Sequence, residues 1–409
     1  MALFTTDTRI LFATRLVRLF AYGFLSVVLA LYLAQIGLSE QKIGLLLTLT
    51  LLGDAVISLW ITTAADRMGR RRMLLLGAAL MVLAGAVFVL TKNFALLLVA
   101  AIIGVISPSG NEIGPFLSIE QAALSQLAPD ERRTKMFAWY NLVGSFATAL
   151  GALSGGGLMQ MLQSSGATVL DSYRAVLIGY AVLGVALVAL FTRLSPAVET
   201  STAAGVPPAH RVFGLHRSRG VVMKLSGLFA LDAFAGGFVV QSIMAYWFHV
   251  KFGVAPATLG SIFFGANILA GISALLAARI AARIGLINTM VFTHIPSNIL
   301  LMLVPLVPSL PLAIAVLLIR FSISQMDVPT RQSYTMAVVN PDERSAASGV
   351  TSIARSVGAS LSPALSGQLF AIPALLSVPF FFAGGLKIIY DLLLYHSFRA
   401  LKPPEEEHR

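Results

Sequence analysis

Cysteine is absent from the 409 residues of this chain, and charged residues make up only 11% of them. Without thiols the chain forms no disulfide, holds no thiolate metal site and uses no cysteine nucleophile. A soluble domain carries about 25% charged residues. This chain has 57% hydrophobic residues and a mean hydropathy of +0.84, so the sequence predicts that the lipid bilayer is its solvent.

The sequence also lacks the motifs of several function classes. No Gly-x-x-x-x-Gly-Lys-Ser/Thr loop is present, so the chain has no P-loop through which ATP would drive it. His-Glu-x-x-His and Gly-x-Ser-x-Gly are absent too, which argues against an intramembrane enzyme. The net charge of +11 would suit nucleic acid, but its cations lie in alternating loops between apolar runs. No nucleic-acid partner is therefore expected.

Twelve apolar runs are long enough to cross a membrane as helices, which takes about 20 residues each. They do not show the alternation of polar and apolar residues that β-barrel strands require. The predicted fold class is therefore all-α integral membrane, with twelve transmembrane helices. The predicted spans are 10–34, 44–65, 72–91, 95–127, 132–160, 172–193, 222–250, 257–283, 286–306, 310–338, 344–370 and 373–398.

The loops between the spans predict the orientation of the chain. Alternate loops hold clusters of arginine and lysine, at 66–72, 132–135, 211–224 and 279–283, whereas the loops between them hold single cations. Because positively charged loops stay in the cytoplasm, both termini of this multi-pass cell-membrane protein are predicted to be cytoplasmic. The absence of an Asn-x-Ser/Thr sequon favours a bacterial inner membrane.

The chain contains an internal repeat. Pro-Asp-Glu-Arg at 129–132 recurs at 341–344, and Ala-Leu-Ser-Gly at 152–155 recurs at 364–367, both at an offset of 341 − 129 = 212. Two similar halves that hold substrate between them are a known transporter plan. The predicted organisation is an N-terminal six-helix bundle in 1–194, a cytoplasmic linker in 195–221 and a C-terminal six-helix bundle in 222–409.

Residues 66–72 read Asp-Arg-Met-Gly-Arg-Arg-Arg and lie between the second and third predicted spans. This loop, with the twelve spans and the paired halves, resembles the signature of the major facilitator superfamily, and the resemblance covers the whole chain. It implies a cytoplasmic gate that helps to set the outward-facing state. The resemblance assigns this gate to Asp66, Arg67, Gly69, Arg70 and Arg71, whereas Arg72 is expected only to enforce the topology.

Ionisable residues inside the spans are the candidates for proton coupling or for the substrate cavity, because each costs about 2.5–3.5 kcal/mol at the bilayer centre. The fourth span carries Asn111, Glu112 and Glu120, and the spacing of eight puts the two acids on one helix face. Asp327 and Arg331 are four residues apart in the tenth span and are predicted to pair. The remaining candidates are Asp54 in the second span and Asp232 in the seventh.

Other charged residues of the spans are predicted to be structural. Arg15 and Arg18 lie within three turns of the cytoplasmic end of the first span, where they can snorkel to the interface. Lys387 and Asp391 have the spacing of a pair on one helix face. His294 is a lone histidine, and we expect it to be packed rather than catalytic.

The sequence thus predicts a secondary transporter that moves a small molecule by alternating access. Several membrane carboxylates favour proton coupling, with Glu112 as the leading proton carrier, and efflux is favoured over uptake. The alternative is a proton-coupled importer of a small organic anion or nutrient, which would use Arg320, Arg331 or Arg355 to bind it; an intramembrane enzyme is a remote alternative. We expect a monomer without cofactor or metal, with the small-molecule substrate, protons and the lipid bilayer as its partners.

Overall fold

The computed structural model describes residues 5–110, 115–127, 130–199, 215–340 and 343–401, apart from the side chains of residues 66, 67, 130–135, 138 and 345. The described part is helical and contains no strand. Its helices, α1 to α16 in chain order, are Thr6–Ser26, Leu29–Gln35, Glu40–Met68, Arg70–Leu90, Phe94–Ile103, Phe116–Leu127, Asp130–Ser164, Val169–Phe191, Arg219–Gly237, Gln241–Phe252, Pro256–Ile284, Leu286–Leu303, Leu310–Phe321, Asp327–Ala337, Arg344–Phe370 and Val378–Phe398.

Most of these helices have the length and composition of membrane spans. Eight described segments qualify, or nine when α1 and α2, which meet at a bend of 42°, are taken as one span. Helices α5 and α13 are apolar but shorter. The chain is therefore a multi-pass helical membrane protein, as the sequence predicts.

The predicted fourth and tenth spans are each broken into two shorter helices. The predicted span 95–127 contains α5 and α6, and the backbone from 104 to 110 between them is not helical. The predicted span 310–338 contains α13 and α14, which are joined by turns at 322–326. Proline explains the first break, since Pro108 and Pro115 each remove a backbone donor and clash with the preceding turn.

The helix breaks follow the sequence repeat. Residues 27–28 separate α1 from α2, and residues 238–240 separate α9 from α10. Val-Val stands in both breaks, at 27–28 and at 239–240, with an offset of 239 − 27 = 212. This is the offset of the repeated motifs, so the two halves share a backbone feature as well as short sequences.

Two glycines with positive φ join consecutive helices. Gly69 lies between α3 and α4 with φ of 98°, and Gly285 lies between α11 and α12 with φ of 89°. Other residues adopt this region of backbone conformation only with strain. The glycine of the 66–72 loop therefore has a local backbone reason for being glycine.

The described residues form two compact units. One comprises those within Met1–Ala203 and Val240–Asn267, and the other comprises those within Ala204–Val239 and Ile268–Arg409. The first unit therefore contains the first six predicted spans together with α10 and the beginning of α11. The second unit contains α9, the rest of α11 and the helices that follow.

In the first unit, α1 and α7 approach closely through glycines of α7. A Cβ atom at Gly151 would lie 2.0 Å from the carbonyl oxygen of Phe20, and one at Gly155 would lie 2.5 Å from that of Phe24. Small residues let helix backbones meet in membranes, where close packing drives association. The glycines of the predicted fifth span thus allow α1 to pack on α7.

In the second unit, α9 and α15 meet in the same manner. A Cβ atom at Gly237 would lie 2.4 Å from the carbonyl oxygen of Ala359, and one at Gly358 would lie 2.3 Å from that of Ala230. Helix α12 packs against α14 and α16. This packing brings charged residues of five helices, α9, α12, α14, α15 and α16, close together.

Candidate functional site

Asp232 of α9 lies at the centre of a buried cluster of charges in the second unit. Its Oδ1 accepts a hydrogen bond from Lys387 Nζ at 2.5 Å. Its Oδ2 accepts from Arg355 Nη1 at 3.0 Å and from Arg331 Nη1 at 3.1 Å. Only 4% of the Asp232 side chain is exposed. Three basic side chains, from α14, α15 and α16, thus donate hydrogen bonds to one carboxylate.

Arg331 binds a second carboxylate on its own helix. Its Nη1 lies 3.0 Å from Oδ2 of Asp327, one turn earlier in α14, and both side chains are 7% exposed. This confirms the predicted pairing of Asp327 with Arg331. Because Arg331 also contacts Asp232, it joins three of the predicted site residues into one group.

His294 and Asp391 form a further pair in the second unit. His294 Nδ1 lies 2.8 Å from Asp391 Oδ1, and Asn298 Nδ2 donates to Asp391 Oδ2 at 3.2 Å. Lys387 pairs with Asp232 and not with Asp391, so the predicted pairing within α16 is wrong. His294 is buried, as expected, but it is bonded to a carboxylate rather than packed among apolar groups alone.

The charged groups of the Asp232 cluster can bind or release a proton and change their ion-pair partners. A buried ion costs several kcal/mol of desolvation free energy, which close counter-ions and hydrogen bonds must offset. A proton that arrives at Asp232 removes the carboxylate partner of Arg355 and Lys387 and one of the two carboxylate partners of Arg331. Ionisable groups in spans commonly mark ion or proton pathways, and the Asp232 cluster has the chemistry of such a pathway.

Glu120 of α6, in the first unit, is buried in an ion pair with Arg18 of α1. Arg18 donates through Nη1 and Nη2 to both carboxylate oxygens, at 2.8 and 2.7 Å. Thr14 donates to the same carboxylate at 2.8 Å, and so does the Tyr140 hydroxyl. The prediction that Arg15 and Arg18 snorkel to the interface is wrong. Arg18 is 0% exposed and faces an acid inside the unit, and Arg15 is also buried and donates from Nε to the backbone oxygen of Tyr140 at 2.9 Å.

The other candidates of the first half have fewer described contacts. Asn111 and Glu112 lie outside the described residues, so their placement stays a prediction. The spacing argument for a common face needs one helix, but α6 begins only at Phe116. Asp54 of α3 is half-buried, and it accepts a hydrogen bond from Ser58 at 3.4 Å.

The arginine-rich loop contacts the segment that follows α8. The carboxylate of Glu199 accepts hydrogen bonds from the backbone N–H groups of Arg70 at 2.7 Å and Arg71 at 3.2 Å. These are the first N–H groups of α4, which have no partner within the helix, and an anion at this end also favours the helix dipole. The side chains of Asp66 and Arg67 lie outside the described residues.

Glu343 makes a similar contact in the second unit. Its carboxylate accepts backbone N–H bonds from His216, from Arg217 at 3.0 Å and from Ser218 at 2.8 Å. These residues immediately precede α9. Burial works against ionisation of this carboxylate, but the hydrogen bonds from His216 and Ser218 lower the pKa of Glu343 to about 2. Glu343 thus ties the end of the predicted linker to the start of α15.

We expect Glu343→Gln to lower the melting temperature by a few degrees at neutral pH. Since the folded-state pKa of about 2 is below the ordinary 4.5, the ionised carboxylate stabilises the fold above pH 4.5 and loses this effect as pH falls towards 2. Thermal unfolding of detergent-purified wild type and Glu343→Gln between pH 3 and 7 measures the difference in melting temperature. A melting-temperature difference that does not shrink below pH 4.5 would contradict the assignment.

Polar contacts also join α10 to the first six spans within the first unit. The hydroxyl of Ser242 donates to the carbonyl oxygens of Ser26 at 2.7 Å and Pro108 at 2.6 Å. Gln241 Nε2 donates to the Ser26 hydroxyl at 2.7 Å. These bonds satisfy backbone groups that the helix breaks near Ser26 and Pro108 leave free.

Several members of these clusters do not follow from the sequence. The sequence context favours structural roles for Arg18, Lys387, His294 and Asp391, and it does not single out Glu199. The first four carried a usable signal, because an ionisable residue within an apolar run is a functional candidate by default. Glu199 carried none, since an acid in a polar linker is ordinary.

Known proteins resemble this chain over its whole length. A family model described as Major Facilitator Superfamily matches residues 11–363 and also 228–408. The chain is 34% identical over 417 residues to the "Uncharacterized membrane protein YJR124C" of Saccharomyces cerevisiae, with 95% of this chain and 93% of that protein covered. Because this relative is from yeast, placement in a bacterial inner membrane stays a prediction.

Two further similarities are more distant. A stretch of 134 residues is 25% identical to "Quinolone resistance protein NorA" of Staphylococcus aureus and covers 33% of each protein. The crystal structure of a bacterial homologue of the human lysosomal transporter Spinster, inward-facing and occupied, superposes with a TM-score of 0.71 over 96% of both chains at 17% identity. At this identity the likeness shows the fold, and it confirms the predicted twelve-helix architecture.

Proposed function

Because the chain belongs to the Major Facilitator Superfamily of membrane transporters, we propose that it moves a small molecule by alternating access and that protons drive it. The observation that carries the proposal is the buried carboxylate of Asp232 with its three basic partners. Protonation of this carboxylate changes the pairing of every group around it. Proton binding can therefore be coupled to a change of contacts among α9, α14, α15 and α16.

The candidate residues receive distinct proposed roles. Asp232 is the proton site, and Asp327 holds Arg331 beside it in both protonation states. Glu120, which accepts hydrogen bonds from three side chains, is proposed to brace α6 against α1 through Arg18. Asn111, Glu112 and Asp54 stay proposed from the sequence alone for proton coupling or the substrate cavity, with Glu112 as a second proton carrier.

Two directions of transport have support. The local similarity to a quinolone resistance protein supports efflux, the direction that the sequence favours. The three cations that surround Asp232 support the alternative, uptake of a small organic anion together with protons. Protonation of Asp232 leaves Arg355 and Lys387 without their carboxylate partner, and a substrate anion can replace it.

Proton movement in proteoliposomes tests the proposed function. Liposomes that contain a pH-sensitive dye and the purified protein receive gluconate, benzoate, choline, ethidium or glucose outside. We expect at least one of these compounds to change the internal pH faster with wild-type protein than in empty liposomes, whose response to benzoate measures passive entry of benzoic acid, and Asp232→Asn to respond as empty liposomes do. Wild-type liposomes that respond to no compound, or an Asp232→Asn variant that responds as wild type does, would contradict the proposal.

We further propose that Gly69, Arg70 and Arg71, with Asp66 and Arg67, form a cytoplasmic gate. Arg70→Ala removes hydrogen bonds from Arg70 Nη1 to Gln126 at 3.0 Å and to the backbone of Val198 at 3.2 Å. A loss of about 1–3 kcal/mol changes a two-state ratio severalfold, and we expect a shift towards the inward-facing state.

Distances between spin labels at the starts of α4 and α12 measure this shift. Arg72→Ala is the matched control, because Arg72 is exposed and is expected only to enforce topology. Distance distributions that are the same for Arg70→Ala, Arg72→Ala and wild type would remove Arg70 from the gate.

A further inference from the structure

The basic partners of Asp232 differ in how accessible they are. The side chain of Arg355 is 35% exposed and that of Lys387 is 12% exposed, whereas Arg331 is 7% exposed. Arg355 and Lys387 therefore lie at the edge of the cluster that a small molecule can reach. Arg331 lies deeper, between two carboxylates.

Protonation of Asp232 affects these three cations unequally. Arg331 keeps Asp327, 3.0 Å away on the same helix. Among the described residues, Arg355 and Lys387 have Asp232 as the one carboxylate within ion-pair distance. When Asp232 is neutral, these two cations have lost their carboxylate partner. Binding of another anion is then favourable, because an uncompensated buried charge is costly.

The charges of the cluster favour an anion in both protonation states. Lys387, Asp391 and the uncharged phenol of Tyr390 come from α16, Arg355 from α15, Arg331 and Asp327 from α14, and His294 from α12, while Arg320 of α13 interacts with Asp327. With Asp232 ionised, four lysine and arginine side chains, besides His294, face three carboxylates. A proton on Asp232 adds a second excess positive charge. An organic cation would be repelled in either state.

We infer that the substrate is a small organic monoanion and that its carboxylate binds to Lys387 and Arg355 in place of Asp232. The inference rests on the proposed proton coupling at Asp232 and names the substrate class of that site. The planar guanidinium of Arg355 suits a carboxylate, which it can bind through two parallel hydrogen bonds. The ammonium of Lys387 adds a compact charge beside it.

In this scheme Asp232 is an internal substitute for the substrate. In the empty transporter the carboxylate of Asp232 is paired with the two accessible cations, Arg355 and Lys387. A proton that neutralises Asp232 releases them, and one monoanion takes its place, so that proton and anion together leave the net charge of the cluster unchanged. Because both bind to the same state, transport is a symport, and an inward-directed proton gradient drives uptake.

Calorimetric titration of the purified protein tests this exchange. The probes are gluconate and benzoate, with glucose and benzyl alcohol as neutral analogues of similar shape and choline as a cation. We expect at least one of the two carboxylates to bind with uptake of about one proton, measured by repeating the titration in buffers of different ionisation enthalpy, and to bind more tightly as the pH falls. The neutral compounds and choline are expected not to bind.

Variants separate the roles of the two kinds of residue. Asp232→Asn is expected to bind the same carboxylate without proton uptake and with no dependence on pH. Lys387→Gln and Arg355→Gln are expected to weaken binding at least tenfold, whereas Lys42→Gln, which changes a lysine of α3, is the matched control. The double variant Asp232→Asn with Lys387→Gln removes one charge of each sign, and it checks that lost binding does not reflect lost folding.

The outcomes distinguish this inference from the proposed function. Proton movement with choline, ethidium or glucose, but with neither carboxylate, would overturn the anion assignment and leave proton-coupled transport standing. Carboxylate binding without proton uptake in the wild type would overturn the exchange at Asp232. A wild-type protein that binds neither carboxylate at pH 5.5 would overturn the inference as well.

Discussion

Arg18→Met is expected to lower the free energy of unfolding by about 3–5 kcal/mol. The reason is the environment of Glu120, whose carboxylate is 0% exposed and accepts two hydrogen bonds from the guanidinium of Arg18. Methionine fills much of the same volume but leaves a buried anion with only hydroxyl donors. Equilibrium unfolding of the detergent-solubilised protein measures the loss.

A second substitution separates charge from packing in this pair. Arg18→Met combined with Glu120→Met removes both charges, and we expect it to recover most of the lost stability, since well-packed apolar residues often replace a buried pair at little cost. Arg9→Met is the matched control, because Arg9 is exposed on the same helix. An Arg18→Met variant that is as stable as Arg9→Met would show that the pair does not brace α1 and α6.

Gly151→Val is expected to prevent normal folding of the first unit. Its Cβ atom would lie 2.0 Å from the backbone oxygen of Phe20 and 2.8 Å from the backbone nitrogen of Phe24. Neither atom can move without shifting α1 as a whole. We therefore expect the loss in free energy of unfolding to exceed the roughly 1–3 kcal/mol typical of overpacked cores. The yield of monodisperse protein and its melting temperature measure the effect.

Gly157 offers a control on the same helix. A Cβ atom there has no neighbour within 4 Å, so we expect Gly157→Val to give normal yield and a melting temperature close to wild type. The comparison cancels any general effect of valine in α7. Equal losses from the two substitutions would mean that helix propensity, rather than contact with α1, explains them.

The features that the sequence predicts well are local ones. The span predicted at 344–370 coincides with α15, Arg344–Phe370, because the repeated Pro-Asp-Glu-Arg motif at 341–344 marks its start in the sequence. The pairing of Asp327 with Arg331 follows from a spacing of four on one helix. The family resemblance rests on a short contiguous loop and is confirmed by the family model that matches most of the chain.

The pairs that connect distant segments could not be read from spacing. Arg18 and Glu120 are 102 residues apart, and Lys387 and Asp232 are 155 residues apart. Lys387 has an acid four residues away, which made the local pairing plausible. Helix packing decides between a near and a distant partner, and packing depends on where glycines allow two backbones to meet.

Broken helices limited the prediction of the first-half site. The spacing between Glu112 and Glu120 indicates a common face only where the backbone is one helix, and the break at 104–110 with the start of α6 at Phe116 removes that premise. Pro108 and Pro115 were the warning in the sequence. Proline alone, however, does not reveal whether a helix bends or stops.

The most direct test of proton coupling at Asp232 compares two modes of transport in Asp232→Asn proteoliposomes. The compound is one that moves protons through the wild-type protein. We predict that Asp232→Asn no longer accumulates it against its gradient when a pH difference is applied, yet still exchanges labelled for unlabelled compound at equal pH. Accumulation by Asp232→Asn at the wild-type rate and level would contradict the assignment of the transported proton to Asp232.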